Sequence, residues 1–93
     1  MIKVIGNDFW RGGQKVGFLS GDHIIDHEGT KIGNIMGDHI YDKHGNKVAF
    51  IEGDYIYIIN PSRKIRIEDN NQEVFGGTLT SIQKAAARVL FGE

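Results

Sequence analysis

Apolar positions along this chain fall in short runs rich in β-branched and aromatic residues, each closed by a polar stretch that carries glycine. His39-Ile40-Tyr41-Asp42 and Lys47-Val48-Ala49-Phe50-Ile51 form one such pair of runs, and the polar residues between them predict a β-hairpin. The pattern then recurs. Residues 21–36 and 37–52 align without a gap, sharing Gly21/Gly37, Asp22/Asp38, His23/His39, Ile24/Ile40, Asp26/Asp42, Gly29/Gly45, Lys31/Lys47 and Ile35/Ile51. A tandem unit of sixteen residues is therefore the organising feature. Two eroded copies flank the pair: residues 6–20, one residue shorter, and residues 53–69, with one extra residue near Pro61. The Gly-x-Lys-Val/Ile element at Gly13, Gly29 and Gly45 survives in the last copy as Ser62-Arg63-Lys64-Ile65.

Turn chemistry agrees with one hairpin per unit. In Asp26-His27-Glu28-Gly29-Thr30 and Asp42-Lys43-His44-Gly45-Asn46 the glycine suits the left-handed residue of a type I turn with a G1 bulge, and the aspartate can accept from backbone two residues on. The junctions Gly21-Asp22, Gly37-Asp38 and Gly53-Asp54 are tight turns that chain successive hairpins into a meander of about eight strands. Val16, Leu19, Ile32, Ile35, Val48, Ile51 and Ile65, with Ile24, Ile40 and Ile56, are the expected core. After Ile67 the character changes. Glu68 to Glu73 read as a polar turn or loop, Val74-Phe75 as a last short strand, and Gly76-Gly77 as its end. Thr80-Ser81-Ile82-Gln83 has capping-box spacing, and Ile82, Ala85, Ala86, Val89 and Leu90 share one helical face, so a helix is expected at about residues 80–91, covering the apolar side of the β-body. The expected fold is mainly β: four tandem hairpins in a pseudo-fourfold closed meander plus one C-terminal amphipathic helix, a single domain over residues 1–93.

Composition narrows the functions. Eleven Lys and Arg against twelve Asp and Glu leave a net charge of -1, which argues against a nucleic-acid partner. The absence of cysteine removes disulfides, thiolate nucleophiles and cysteine metal sites. No apolar run approaches the length of a membrane span or signal peptide, so a cytoplasmic location without membrane contact is expected. Thirteen glycines beside a single proline fit a chain full of tight turns.

The Gly-Asp-x-Ile-Tyr-Asp-x-x-Gly-x-Lys-Val pattern seen from Gly37 to Val48, repeated with variation and followed by an amphipathic helix, resembles the four-fold β-flower family. The resemblance spans nearly the whole chain and implies four hairpin petals around a pseudo-fourfold axis in a small bacterial or phage-associated protein. It implies no particular activity. The shortened turn at Arg11-Gly12-Gly13 and the insertion at Pro61 depart from the pattern. Tyr41 to Asn46 is also similar to the YD repeats of large secreted shell proteins, but those repeats are longer and run in long arrays.

Candidate chemistry is sparse. His23 and His39 hold equivalent repeat positions and could serve a metal, yet Asp8 and Tyr55 stand there in the other copies, so a full imidazole ring cannot form. The recurrent Asp22, Asp38 and Asp54, and Asp26 and Asp42, are explained by turns, and Lys15, Lys31, Lys47 and Lys64 by a solvated strand face paired with aspartates, against the sharper alternative of a basic ring for an anion. Nine aromatic residues are too many for a small core, which puts Trp10, Tyr55 and Tyr57 forward as binding residues. No phosphate loop, nucleophile elbow or triad spacing is present. The expectation is a non-enzymatic module without cofactor that binds a protein partner, a phage-type inhibitor being one version, or self-associates. The alternatives are metal binding through His23 and His39 with Asp22 and Asp38, and carbohydrate binding through exposed aromatics.

Overall fold

A computed structural model describes residues 1–92. One sheet of ten strands holds nearly all of the β structure: β1 (Ile2–Ile5), β2 (Asp8–Arg11), β3 (Gln14–Ser20), β4 (His23–Asp26), β5 (Lys31–Met36), β6 (His39–Asp42), β7 (Lys47–Glu52), β8 (Tyr55–Ile58), β9 (Arg63–Arg66) and β10 (Val74–Phe75). Two helices, α1 (Ile67–Glu73) and α2 (Ser81–Phe91), complete it. From β1 to β9 each strand pairs antiparallel with the next, as expected of a meander, and β10 returns to pair parallel with β1. The strands therefore run in a continuous ladder from β10 to β9, and α1, packed on both end strands, closes the circuit.

The repeat is visible in single bonds. Leu19, Ile35, Ile51 and Ile67 each donate their amide to the main-chain carbonyl of the preceding junction residue, Asn7, Asp22, Asp38 and Asp54, at 2.8 to 2.9 Å. In the junctions Gly6, Gly21, Gly37 and Gly53 have φ near 60°, the first central position of a type II′ hairpin turn, where a β-carbon is strained. At the opposite tips the Asp26 Oδ1 accepts from the amides of Glu28 and Thr30, and the Asp42 Oδ1 from those of His44 and Asn46, at 2.8 to 2.9 Å. Turn stabilisation thus accounts for both aspartates.

One face of the sheet, here the inner face, buries Ile2, Val4, Phe9, Leu19, Ile24, Ile35, Ile40, Ala49, Ile56 and Val74 against Ala85, Ala86 and Ala87 of α2. Five of the ten expected core residues lie in that buried set, and Val16, Ile32, Val48, Ile51 and Ile65 pack around it. The helix starts as its spacing predicts. Thr80 Oγ1 accepts from the Gln83 amide and Gln83 Oε1 from the Thr80 amide, a complete capping box. Arg11 reaches the other end, donating to the carbonyls of Phe91 and Gly92. The close approach of helix to sheet depends on small strand residues as well as small helix residues: Gly17, Gly33 and Ala49 lie opposite Phe9, Ile24 and Ile40 in the ladder.

Three departures from the sequence reading have local causes. Residues 68–73, expected as a loop, lie within α1; it buries Asn70, whose Oδ1 accepts from Arg88 Nη1 of α2 at 3.2 Å, so a tertiary contact holds a segment of weak intrinsic helix propensity. Ile2 and Val4 point inward from a further strand, β1, that lies outside the repeat. Finally, the first three hairpins carry a register shift between their strands, whereas β8 and β9 pair without one. Ile65 therefore faces Ile56 in the place of Ala49, not of Val48.

Candidate functional site

The register places outward side chains in tracks that run across the strands. One track passes through Asp8, Phe18, Ile25 and Lys31; the next through His23, Asn34, Tyr41 and Lys47; the third through His39, Phe50, Tyr57 and Lys64. Each track is the previous one displaced by one repeat, and each ends on one of the recurrent lysines. The third is the most aromatic, and Met36, 64% exposed and paired with His39, extends it. With strands about 4.8 Å apart, Met36, His39, Phe50, Tyr57 and Lys64 make a line about 19 Å long over five strands.

Ring geometry binds this line together. Phe50 and Tyr57 stack with centroids 5.1 Å apart and planes 15° from parallel, His39 lies 6.2 Å from Phe50, and Tyr55 lies 6.3 Å from Tyr57. The offset stack and tilted neighbours are the arrangements that ring quadrupoles favour. Lysine ammonium groups sit over the rings: Lys15 over Phe18, Lys47 over Phe50 and Lys64 over Tyr55, at 4.5 to 5.1 Å from the centroids. Only Lys15 among these also pairs with an aspartate as the sequence suggested, at 3.2 Å from Asp8. The lysine row is therefore mostly an aromatic lid rather than an open ring of cations.

Of the five residues singled out from sequence, His39, Tyr55 and Tyr57 converge here. The others do not join them. His23 lies in the neighbouring track, paired with Ser20 and Asn34, two strands from His39. Trp10 stands between Lys3 and Lys15 near the β10 edge, beside Met1, Ile5 and Phe75. Among the described residues no group of three or more His, Asp or Glu is disposed to hold a metal ion, and the pairing separates His23 from His39. The sequence reading overlooked Phe50, the centre of the cluster, and Met36, although both follow from tracing register across the junction turns.

A curled meander of repeated hairpins, its bowl filled by aliphatic side chains against the alanine face of α2 and its outer wall carrying repeat-related tracks, defines a β-flower architecture. The chain belongs to the 4-fold beta flower protein family, whose model matches residues 4–75. The match ends at β10, so the four petals and α1 lie within it and α2 beyond it. No curated protein and no solved structure matches the chain. No described helix is long and apolar enough to cross a membrane.

Proposed function

We propose that this protein is a non-catalytic module that binds a protein partner through the Met36, His39, Phe50, Tyr57 track and the adjoining Tyr55. The single observation that carries the reading is this continuous line of Met and aromatic residues, half-buried or exposed, on a rigid sheet face. Aromatic residues and methionine are enriched in protein interfaces, and rigid rings lose little conformational freedom on contact. The same geometry disfavours carbohydrate, because Phe50 and Tyr57 stack on one another and lysines cover Phe50 and Tyr55, leaving few open ring faces for a sugar.

The test is a paired one. The protein and its Phe50→Ser, Tyr57→Ser variant are used as bait, with the variant's fold checked by circular dichroism, and light scattering reports self-association. A partner, or a second copy, held by the wild type should be lost by the variant, with an affinity drop of at least about 2 kcal/mol if these rings are hot spots. Equal capture by a folded variant removes this face from the interaction.

A further inference from the structure

A fourth track crosses the outer wall over the first strands of the ladder. Phe75, Lys3, Trp10 and Lys15 stand side by side on β10, β1, β2 and β3, the other tracks' arrangement moved back by one repeat, and this line too ends on a recurrent lysine. Its second position departs from the rest: Lys3 stands where they carry Phe18, Asn34 and Phe50. A cation thus lies between two large rings, and a cleft of about 330 Å³ opens around it. Ile5, Phe75 and Met1 line the cleft and are 51%, 37% and 69% exposed, a cluster of apolar side chains left to water. Two lining residues carry polar side-chain groups, and both are donors. Trp10 Nε1 is buried and has no acceptor, which leaves its desolvation uncompensated. Lys3 pairs with no carboxylate among the described residues, and no acidic side chain lines the cleft. Donors without acceptors beside bare apolar walls call for an acceptor carried on an apolar body.

We infer that this cleft binds a small monocarboxylate with a short aliphatic or aromatic body. One carboxylate oxygen pairs with the Lys3 ammonium and the other accepts from Trp10 Nε1, while the body lies against Ile5, Trp10 and Phe75. One cation and one neutral donor match a singly charged, two-oxygen group; a phosphate dianion would keep half its charge unmatched. Met1 and Lys3 are unbranched side chains, so a rotamer change at the mouth is enough to admit the acceptor to the indole. The volume is that of the smaller ligand pockets, too little for a folded partner. The proposal is independent of the protein-binding reading, since it uses β10 to β3 rather than β5 to β9.

Trp10 is the only tryptophan, so its emission reads the cleft directly. Octanoate, 1-octanol and octylamine, which share one chain length and differ in head group, are titrated into the folded protein below their aggregation limits. Octanoate should change the emission saturably at one per chain and bind about tenfold more tightly than octanol, the scale of a charged hydrogen bond, and octylamine should bind more weakly than octanol. Lys3→Gln, at an exposed strand position, should weaken octanoate about tenfold and leave octanol unchanged, and Lys3→Arg should restore the affinity. Ile5→Glu, which sets a carboxylate in the wall, should abolish octanoate binding in a protein that circular dichroism shows folded. The Phe50→Ser, Tyr57→Ser variant should bind octanoate as the wild type does, so that loss of a protein partner and loss of the carboxylate are read separately. Absence of saturable binding, equal affinity for octanoate and octanol, full affinity in folded Lys3→Gln, loss of octanoate in the Phe50→Ser, Tyr57→Ser variant, or tighter binding of octyl phosphate than of octanoate would each overturn the assignment.

Discussion

Gly17 and Gly33 sit beneath the end of α2, and a β-carbon at either would meet main chain as well as side chain. At Gly33 it would collide with the Tyr41 carbonyl oxygen and stand 2.5 Å from Leu90 Cδ1; at Gly17 it would collide with the Ile25 carbonyl oxygen and stand 2.5 Å from Phe91 Cζ. Gly33→Ala should therefore cost about 1–3 kcal/mol in urea denaturation, as an overpacked core does. Ala49→Gly should cost less, about 0.5–1 kcal/mol, because it loses one methyl and gains backbone freedom in the unfolded chain. At the third hairpin turn, the Asn46 amide bond above all holds the Asp42 carboxyl below the usual aspartate range; desolvation opposes it, and the His44 amide adds to it. A depressed carboxyl contributes stability that is complete above its unfolded pKa and disappears as pH falls through its folded pKa. Asp42→Ala should thus lower the melting temperature at neutral pH, and the gap to wild type should close on acidification below about pH 4. A gap independent of pH would show that the turn, not the charge, carries the effect.

At the level of elements, the hairpins were legible in the sequence because each level of signal agreed: alternation, turn glycines, aspartates in Asx positions and the sixteen-residue period. The helix was legible from its face and cap. Thr80→Ala should cost about 1 kcal/mol in thermal or urea unfolding, since it removes the side-chain acceptor of the capping box. α1 was not legible, because seven residues give too little period to read and its buried Asn70 is secured by Arg88, eighteen positions away. β1 offered only Ile2 and Val4 as an alternating signal and no repeat to confirm it. The aromatic face was half legible for the same reason: residue types marked His39, Tyr55 and Tyr57 as candidates, but their union through Phe50 depends on ladder register, which composition does not encode.

For the whole molecule, nearly all strand contacts join neighbours in sequence, and the β1–β10 pair is the distant exception. Chains dominated by local contacts close their loops at low entropic cost and fold quickly. Val74, fully buried in β10, belongs to the strand pairing most distant in sequence. Val74→Ala should destabilise by about 2 kcal/mol and act mainly by raising the unfolding rate, whereas Ile40→Val, within a middle hairpin, should slow folding more per unit of stability lost. Stopped-flow rates in urea distinguish the two, and a Val74→Ala effect confined to the folding rate would place β10 in the early nucleus instead.

Two adjacent hairpins so alike pose a problem of identity for the chain, since a molecule shifted by one unit would satisfy most turns and many strand pairs of the correct one. The difference of one carbon between Gly33 and Ala49 breaks that degeneracy. With the third unit in the second unit's place, the Ala49 methyl would fall where a β-carbon lies 2.5 Å from Leu90 Cδ1, and Leu90 or α2 would have to shift. The helix would thereby favour one threading of a nearly self-similar chain. Gly33→Ala should then do more than destabilise: it should let slipped or exchanged forms accumulate, seen as dimers or heterogeneous amide spectra on refolding at high protein concentration.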